Sequence, residues 1–232
     1  MIELNSFTKS YGNKSILKDI NIKIEDKKIN FFMGKNGAGK TTFLKCLATL
    51  EKYDGNIFID GKHPEEVKGD FFIIWDDCPF YYDQTGIENL YILSEGKFNK
   101  NEIRSIVNDY ISNDLLKRKV KSYSYGEKKK LALALVIILN PKVIIMDEIT
   151  NGLDFDTLMF LKSVIKEWAK EKTILLTGHQ FAFYNDLVEN VYVINKKLEL
   201  IEYKNIKEKN TDSVAVGASG QLVPALDEGE QI

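Results

Sequence analysis

Apolar and polar residues alternate along Ile2-Glu3-Leu4-Asn5-Ser6-Phe7 and again along Ile20-Asn21-Ile22-Lys23-Ile24, the period of half-buried strands. Ser10-Tyr11-Gly12-Asn13-Lys14 is a turn-rich break between them, and Asp26-Lys27-Lys28 turns the chain into a continuous apolar run, Ile29 to Met33, that reads as a short buried strand. Thr41 to Leu50 has helical character. Asp54-Gly55 signals a turn, Asn56 to Asp60 a strand, and Asp60-Gly61 another turn. Further buried strands are predicted at Phe71–Trp75, Val143–Met146 and Thr173–Thr177. From Gly86 to about Arg118, apolar residues such as Ile103, Ile106, Val107 and Tyr110 recur at helical spacing. A strongly apolar helix is expected from about Lys128 to Leu139, stopping at Asn140-Pro141. Another enters at Asp154 and Asp156 and runs to about Lys170. Val191–Asn195 and Leu198–Ile201 suit a hairpin across Lys196-Lys197.

One junction in this pattern carries explicit chemistry. The Ile29–Met33 strand runs into Gly34-Lys35-Asn36-Gly37-Ala38-Gly39-Lys40-Thr41-Thr42 and then into a helix. This is the phosphate-binding loop spacing G-x-x-x-x-G-K-[ST] in its strand–loop–helix setting. Glycines let successive N–H groups turn into one concave nest, and the helix N-terminus adds partial positive charge there. Lys40 can reach β- and γ-phosphates, and the Thr41 hydroxyl can ligate Mg²⁺. This much specifies a nucleoside triphosphate and leaves its use open.

Composition narrows the setting. The 232 residues suit one domain, or one with a subdomain, and 44% apolar content supports a sizeable core. A formal net charge of −2 gives no case for a nucleic-acid binder. The basic runs Lys117-Arg118-Lys119 and Lys128-Lys129-Lys130 read as solvated helix faces. Cys46 and Cys78 are the only cysteines, Cys46 as a core filler, and a reducing cytosol is the default. No signal peptide is evident after Met1. The longest apolar run, Leu131 to Leu139, falls well short of the ~20 residues a membrane helix needs, so a membrane process would require other chains. From Thr211 to Ile232 the chain has no Lys, Arg or aromatic residue, and it is expected to be a disordered tail to a domain spanning 1–210.

Four more stretches could act with the loop. Val143-Ile144-Ile145-Met146-Asp147-Glu148 suits a strand delivering one carboxylate to Mg²⁺ and one to an attacking water, or equally an ordinary strand with an acidic turn. Ser124 and Gly126 precede a helix. Alone they read as a helix cap; in company they could meet a phosphate. His179 could sense a γ-phosphate, although a lone histidine is more often structural, and Tyr11 could stack on an adenine, although an exposed aromatic near a hairpin is commoner.

Their order decides between these readings. Over almost all of residues 1–205 the chain resembles the nucleotide-binding domain of ABC transporters. Tyr11 matches the adenine-stacking aromatic and Gly34 to Thr42 the P-loop. Tyr123-Ser124-Tyr125-Gly126-Glu127 matches the signature usually written Leu-Ser-Gly-Gly-Gln. Asp147-Glu148-Ile149-Thr150 matches Asp-Glu-Pro-Thr, Asn151-Gly152-Leu153-Asp154 the D-loop, and His179 the switch histidine. Some positions depart from the family. Tyr125 stands for a glycine, Glu127 for a glutamine, and Ile149 for a proline, which should loosen the turn after Glu148. At the Q-loop, Asp77, beside Asp76 and two residues before Pro79, stands for a glutamine. A carboxylate can bind Mg²⁺ more strongly than an amide but cannot donate a hydrogen bond.

The resemblance implies an α/β fold: a P-loop NTPase (RecA-like) core, an N-terminal antiparallel β subdomain, and a helical subdomain at about 80–135. It implies ATP and Mg²⁺, with Thr41, Asp147 and Asp77 on the metal and Glu148, Lys40 and His179 as catalytic groups. It implies a head-to-tail dimer, homo- or heteromeric, in which each ATP lies between one P-loop and the other subunit's Ser124 and Gly126. Its hydrolysis would drive separate transmembrane subunits from the cytoplasmic face of the membrane, with exporter-type function favoured. The rival expectation is a soluble ABC ATPase acting on nucleic acid or ribosomes. Such relatives usually carry a long coiled coil or two cassettes, and this chain shows neither. A non-hydrolysing regulatory subunit is a third possibility, against which Glu148 and His179 argue.

Overall fold

The computed structural model describes residues 1–178, 181–194, 200–204, 214–216 and 222–224. Its N-terminal unit is a three-stranded antiparallel sheet in the order β2-β1-β4, with β1 at Ile2–Tyr11, β2 at Lys14–Ile24 and β4 at Asp54–Ile59. Both alternating segments foreseen in the sequence lie here, and each strand is longer than its periodic part. Bulges interrupt the β1 register near Phe7 and Lys9, which is why strict alternation fades at Ser6.

The second sheet has six strands in the order β5-β6-β7-β3-β8-β9. β3 (Ile29–Met33), β5 (Phe71–Ile74), β6 (Val143–Met146), β7 (Thr173–Thr177) and β8 (Asn190–Ile194) run parallel, and β9 (Leu200–Lys204) pairs antiparallel with β8. The parallel strands read as unbroken apolar runs because both faces are covered. Phe31, Ile144, Met146, Ile174 and Leu176 pack to the helical side. Phe32, Val143, Ile145 and Leu175 pack toward the N-terminal sheet and the helix after the phosphate loop, α1 (Lys40–Leu47). Phe7 joins these layers, with its ring 5.8 Å from Phe43 of α1 and 5.4 Å from Tyr53. Cys46 is fully buried in this cluster, the filler expected of it.

The helical pattern of 86–118 resolves into α2 (Gly86–Leu93), α3 (Lys100–Val107) and α4 (Asn113–Lys117). The breaks fall where capping residues intervene: Thr85, Asn99 and Ser112 each accept an amide of the helix they begin. The apolar helix α5 spans Tyr125–Leu139 and starts three residues earlier than its periodicity suggests, because Ser124 and Glu127 form a reciprocal capping box. It ends at Asn140 in the left-handed conformation, one residue before Pro141. α6 spans Phe155–Trp168, and α7 is a single turn, Phe181–Tyr184. Within 211–232, Val214–Val216 pairs antiparallel with Leu222–Pro224. The hairpin connection at Lys196-Lys197 and His179 lie outside the described residues.

Candidate functional site

The site gathers at the C-terminal ends of β3, β6 and β7, which are neighbours in the sheet. Gly39, with φ of 102°, directs the loop into α1, and a Cβ there would sit 2.6 Å from the Ile16 side chain. Gly34 is needed for a different reason. A Cβ on it would lie 3.0 Å from the Ile194 carbonyl and 3.2 Å from Ala38, so it is close packing, and not a left-handed backbone, that favours glycine. Lys35, Asn36 and Gly37 are exposed along the loop, and Ala38 N donates to the Lys35 carbonyl at 3.0 Å.

The start of α1 differs from every helix from α2 to α6. Thr85, Asn99, Ser112, Ser124 and Asp154 each cap a helix with a side-chain oxygen. At α1 the cap position is Gly39, with no side-chain acceptor and no acidic residue in the first turn. The first amides of a helix need acceptors. Here the sequence supplies none and places lysine beside them. Lys40 is 5% exposed, and its Nζ donates to the carbonyls of Gly34 at 2.9 Å and Lys35 at 3.4 Å. Burial pushes its pKa below the usual lysine value, and the nearby carboxylates of Glu148 and Asp147 pull it back up. The arrangement suits an incoming polyanion, which would meet an ammonium held at the mouth of an uncapped helix.

Opposite the loop, the Thr41 hydroxyl donates to Asp147 Oδ2 at 2.9 Å, and the Thr177 hydroxyl donates to Asp147 Oδ1. Thr177 also accepts from the Glu148 amide at 3.1 Å. Thr177 was not singled out from the sequence. As the last residue of an apolar strand it looks like strand filler, yet it binds the Asp147 carboxylate and the Glu148 backbone. Glu148 takes φ of 49°, and Asn151 donates to its carboxylate at 3.0 Å. The Ile149 substitution does not leave this turn open: Ile149 is fully buried and Asn151 N closes the turn onto the Glu148 carbonyl at 3.1 Å. A hydroxyl and a carboxylate in contact offer the hard oxygen donors that Mg²⁺ takes, together with phosphate and water. Among the described residues, no group of three or more His, Cys, Asp or Glu side chains is arranged to hold a metal by itself.

The remaining predicted residues lie around this centre. Tyr11, at the end of β1, is 47% exposed, and its hydroxyl donates to Glu51. Lys9 pairs with Glu51 at 3.1 Å and sits 4.4 Å from the Tyr11 ring centroid. Thr42 follows Thr41 on α1 and is half-buried. Ser124 and Gly126 belong to the N-terminus of α5, on the β5 side of the sheet. β5 stands three strand spacings from β3, roughly 14 Å. Ser124 accepts from Glu127 N at 3.2 Å, and Glu127 also pairs with Arg118 at 3.0 Å. One expectation is corrected here. Lys129 is not part of a solvated face: it is 1% exposed, and its Nζ donates to the carbonyls of Trp75 and Asp76.

The family described as ABC transporter matches residues 17–151, which include the phosphate loop, the α5 start and the Asp147-Glu148 turn. The chain belongs to the ABC transporter ATP-binding proteins. It is therefore an ABC-type ATPase subunit, and the α/β core with its antiparallel and helical additions is the ABC cassette fold. It is 32% identical to the bacitracin transport ATP-binding protein BcrA of Bacillus licheniformis over 90% of this chain and 72% of that protein. It is 30% identical to the lantibiotic transport ATP-binding protein SrtF of Streptococcus pyogenes over 91% of this chain and 92% of that protein. Among solved structures, cbiO1 from Clostridium perfringens, part of the ABC transporter complex cbiONQ, superposes with a TM-score of 0.77 at 25% identity, covering 89% of each chain.

Proposed function

We propose that this ABC ATPase subunit powers an exporter-type transporter through separate transmembrane subunits, working as a dimer at the cytoplasmic face of the membrane. The observation that carries the ATP site is the uncapped, lysine-flanked start of α1 facing the Thr41–Asp147–Glu148 cluster. Adenine stacks on Tyr11; the triphosphate lies along residues 34–42, with Lys40 at the β- and γ-phosphates. Thr41 and Asp147 would hold Mg²⁺, with Asp77 contributing from the 75–77 turn. The metal, when bound, neutralises charge on the phosphate oxygens. Glu148 accepts a proton from the water that attacks the γ-phosphorus, and the bond to the bridging oxygen breaks, leaving ADP. His179 supports the γ-phosphate.

The dimer reading is supported by the distance across the sheet. Ser124 and Gly126 stand on the β5 side of their own subunit, so a second copy is the natural source of such a segment opposite this P-loop. Transmembrane partners are supported by two features. No helix among the described residues is long and apolar enough to cross a membrane, while Tyr81, Tyr91 and Ile92 of the helical subdomain are at least 40% exposed. The transport reading draws on BcrA and SrtF, named for bacitracin and lantibiotic transport, which suit a peptide-like antimicrobial as substrate; no nucleic acid is expected.

The test is turnover by the purified protein. Glu148→Gln should retain ATP binding, slow hydrolysis by about 10²–10⁴-fold, and favour an ATP-bound dimer by size-exclusion chromatography. Normal turnover in that variant would overturn the role of Glu148. Native pull-down should recover a multi-span membrane protein; recovery of ribosomes or nucleic acid instead would overturn the transport reading.

A further inference from the structure

Two places where the chain departs from its family touch each other. Tyr125 stands where the signature has a glycine, and Asp76-Asp77 stand where the Q-loop has a glutamine. The Tyr125 hydroxyl donates both to the Asp76 carboxylate and, at 2.7 Å, to the Asp76 carbonyl. A glycine could make neither bond. One turn further along α5, the buried Lys129 ammonium donates to the carbonyls of Trp75 at 2.7 Å and Asp76 at 2.5 Å, stands 3.9 Å from the Asp76 carboxylate, and lies 5.0 Å from the Tyr125 ring centroid. The same ring also meets the D-loop: a Cβ on Gly152 would lie 3.4 Å from it. A buried lysine is tolerable only where its donors are satisfied and a countercharge is near. The 75–76 backbone and Asp76 supply both.

We propose that Tyr125 and Lys129 are positioning residues that clamp the 75–77 turn to α5, dividing the labour of the acidic pair. Asp76 is turned to α5 as the anchor, while Asp77 stays exposed and is the one of the pair open to a further ligand. Tyr125 thereby joins three segments that the reaction uses, the signature helix, the Q-loop position and the D-loop, inside one subunit. In a glycine-bearing signature no such side-chain link exists, so an acidic residue at 76 and a tyrosine at 125 are a matched pair. The inference rests on the proposed role of the 75–77 turn in the ATP site.

Trp75 is itself a reporter, since Trp168 is the only other tryptophan and can be replaced by phenylalanine. In a Trp168→Phe background without nucleotide, Tyr125→Phe should raise acrylamide quenching of Trp75 by roughly twofold or more, as a locally opened segment exposes its side chains. At saturating ATP the same substitution should lower kcat roughly tenfold, the worth of one charge-assisted hydrogen bond, with KM for ATP changed by less than about twofold. Asp76→Asn should act in the same direction, and the double variant should be no worse than the more affected single one. Lys129→Met should raise Trp75 quenching further. Unchanged quenching in Tyr125→Phe, or strictly additive losses of kcat for the Tyr125 and Asp76 changes, would overturn the clamp. If the unaltered protein fails to hydrolyse ATP, the proposed function fails, while the quenching experiment still decides the clamp on its own.

Discussion

Replacing Tyr11 by alanine isolates base recognition from phosphate recognition. The ring is about half exposed at the end of β1, close to α1. Its hydroxyl is fixed by Glu51, and the Lys9 ammonium lies 4.4 Å from its centroid. Glu51 is in turn held by Lys9 at 3.1 Å and Lys45 at 4.0 Å, so removing the tyrosine should leave this charge cluster standing. What is lost is a pre-oriented aromatic face. Base–aromatic stacking is worth roughly 5- to 150-fold in Kd by alanine substitution. Because this ring is one-sided and partly solvated, the lower half of that range, about 5- to 30-fold, is expected. Calorimetric titration with ADP in the presence of EDTA measures it without any metal contribution. Tyr11→Phe keeps the face but loses the tether to Glu51, and it should cost less than Tyr11→Ala. The preference for ATP over UTP should narrow in Tyr11→Ala, while kcat at saturating ATP stays within about twofold because the phosphates are held elsewhere. If Tyr11→Ala binds ADP as the unaltered protein does, the base does not stack there and the adenine assignment is wrong.

Other consequences are equally direct. Lys40→Ala removes the ammonium at the mouth of α1 and should abolish ATP binding measurable by calorimetry; unchanged affinity would refute the phosphate assignment. Thr177→Val strips the hydroxyl that binds the Asp147 carboxylate and the Glu148 amide, and should lower kcat roughly tenfold with ATP affinity preserved, read from steady-state kinetics. Phe7→Ala opens a cavity between the N-terminal sheet and α1 and should cost about 3–5 kcal/mol by urea denaturation. The Glu88 carboxyl is held below its ordinary value chiefly by the Thr85 amide, then by the Thr85 hydroxyl. Its contribution to stability is present above the unfolded value of 4.5 and is lost as pH falls through the lower folded value. Glu88→Gln should therefore flatten the decline of Tm below that pH, and identical Tm profiles would count against the capping box.

The fold was legible wherever periodicity or a special spacing was strong. The buried strands of the parallel sheet appear as unbroken apolar runs because both of their faces are covered, and the phosphate loop announces itself by its glycines and Lys40. Helix boundaries were less legible. Ser124 and Glu127 extend α5 by a reciprocal cap that apolar spacing does not register, and Asn99 and Ser112 divide what looks like one long helix. At the site, Asp147, Glu148 and Thr41 could be named from sequence because each has a motif. Thr177 could not, since its role comes from β6 and β7 being adjacent, which only the strand order discloses.

Lys129 shows why single-residue reading fails where long side chains cross between elements. In a run of three lysines it looks like a third solvated charge, since composition carries no record of which face of α5 points inward. Nor does the apolar pattern separate Lys129 from its neighbours. Yet Lys129 is buried with the apolar residues that follow it on α5, and its ammonium reaches the chain just past the end of β5. There it meets backbone carbonyls left over where the strand stops pairing, and an acidic side chain beside them. An acidic pair in place of a glutamine looks, on sequence alone, like a doubled metal ligand. With Lys129 and Tyr125 in place, the Asp76 carboxylate is engaged by α5, so the two acids of the pair are not equivalent: Asp76 is tied to α5 and Asp77 is exposed.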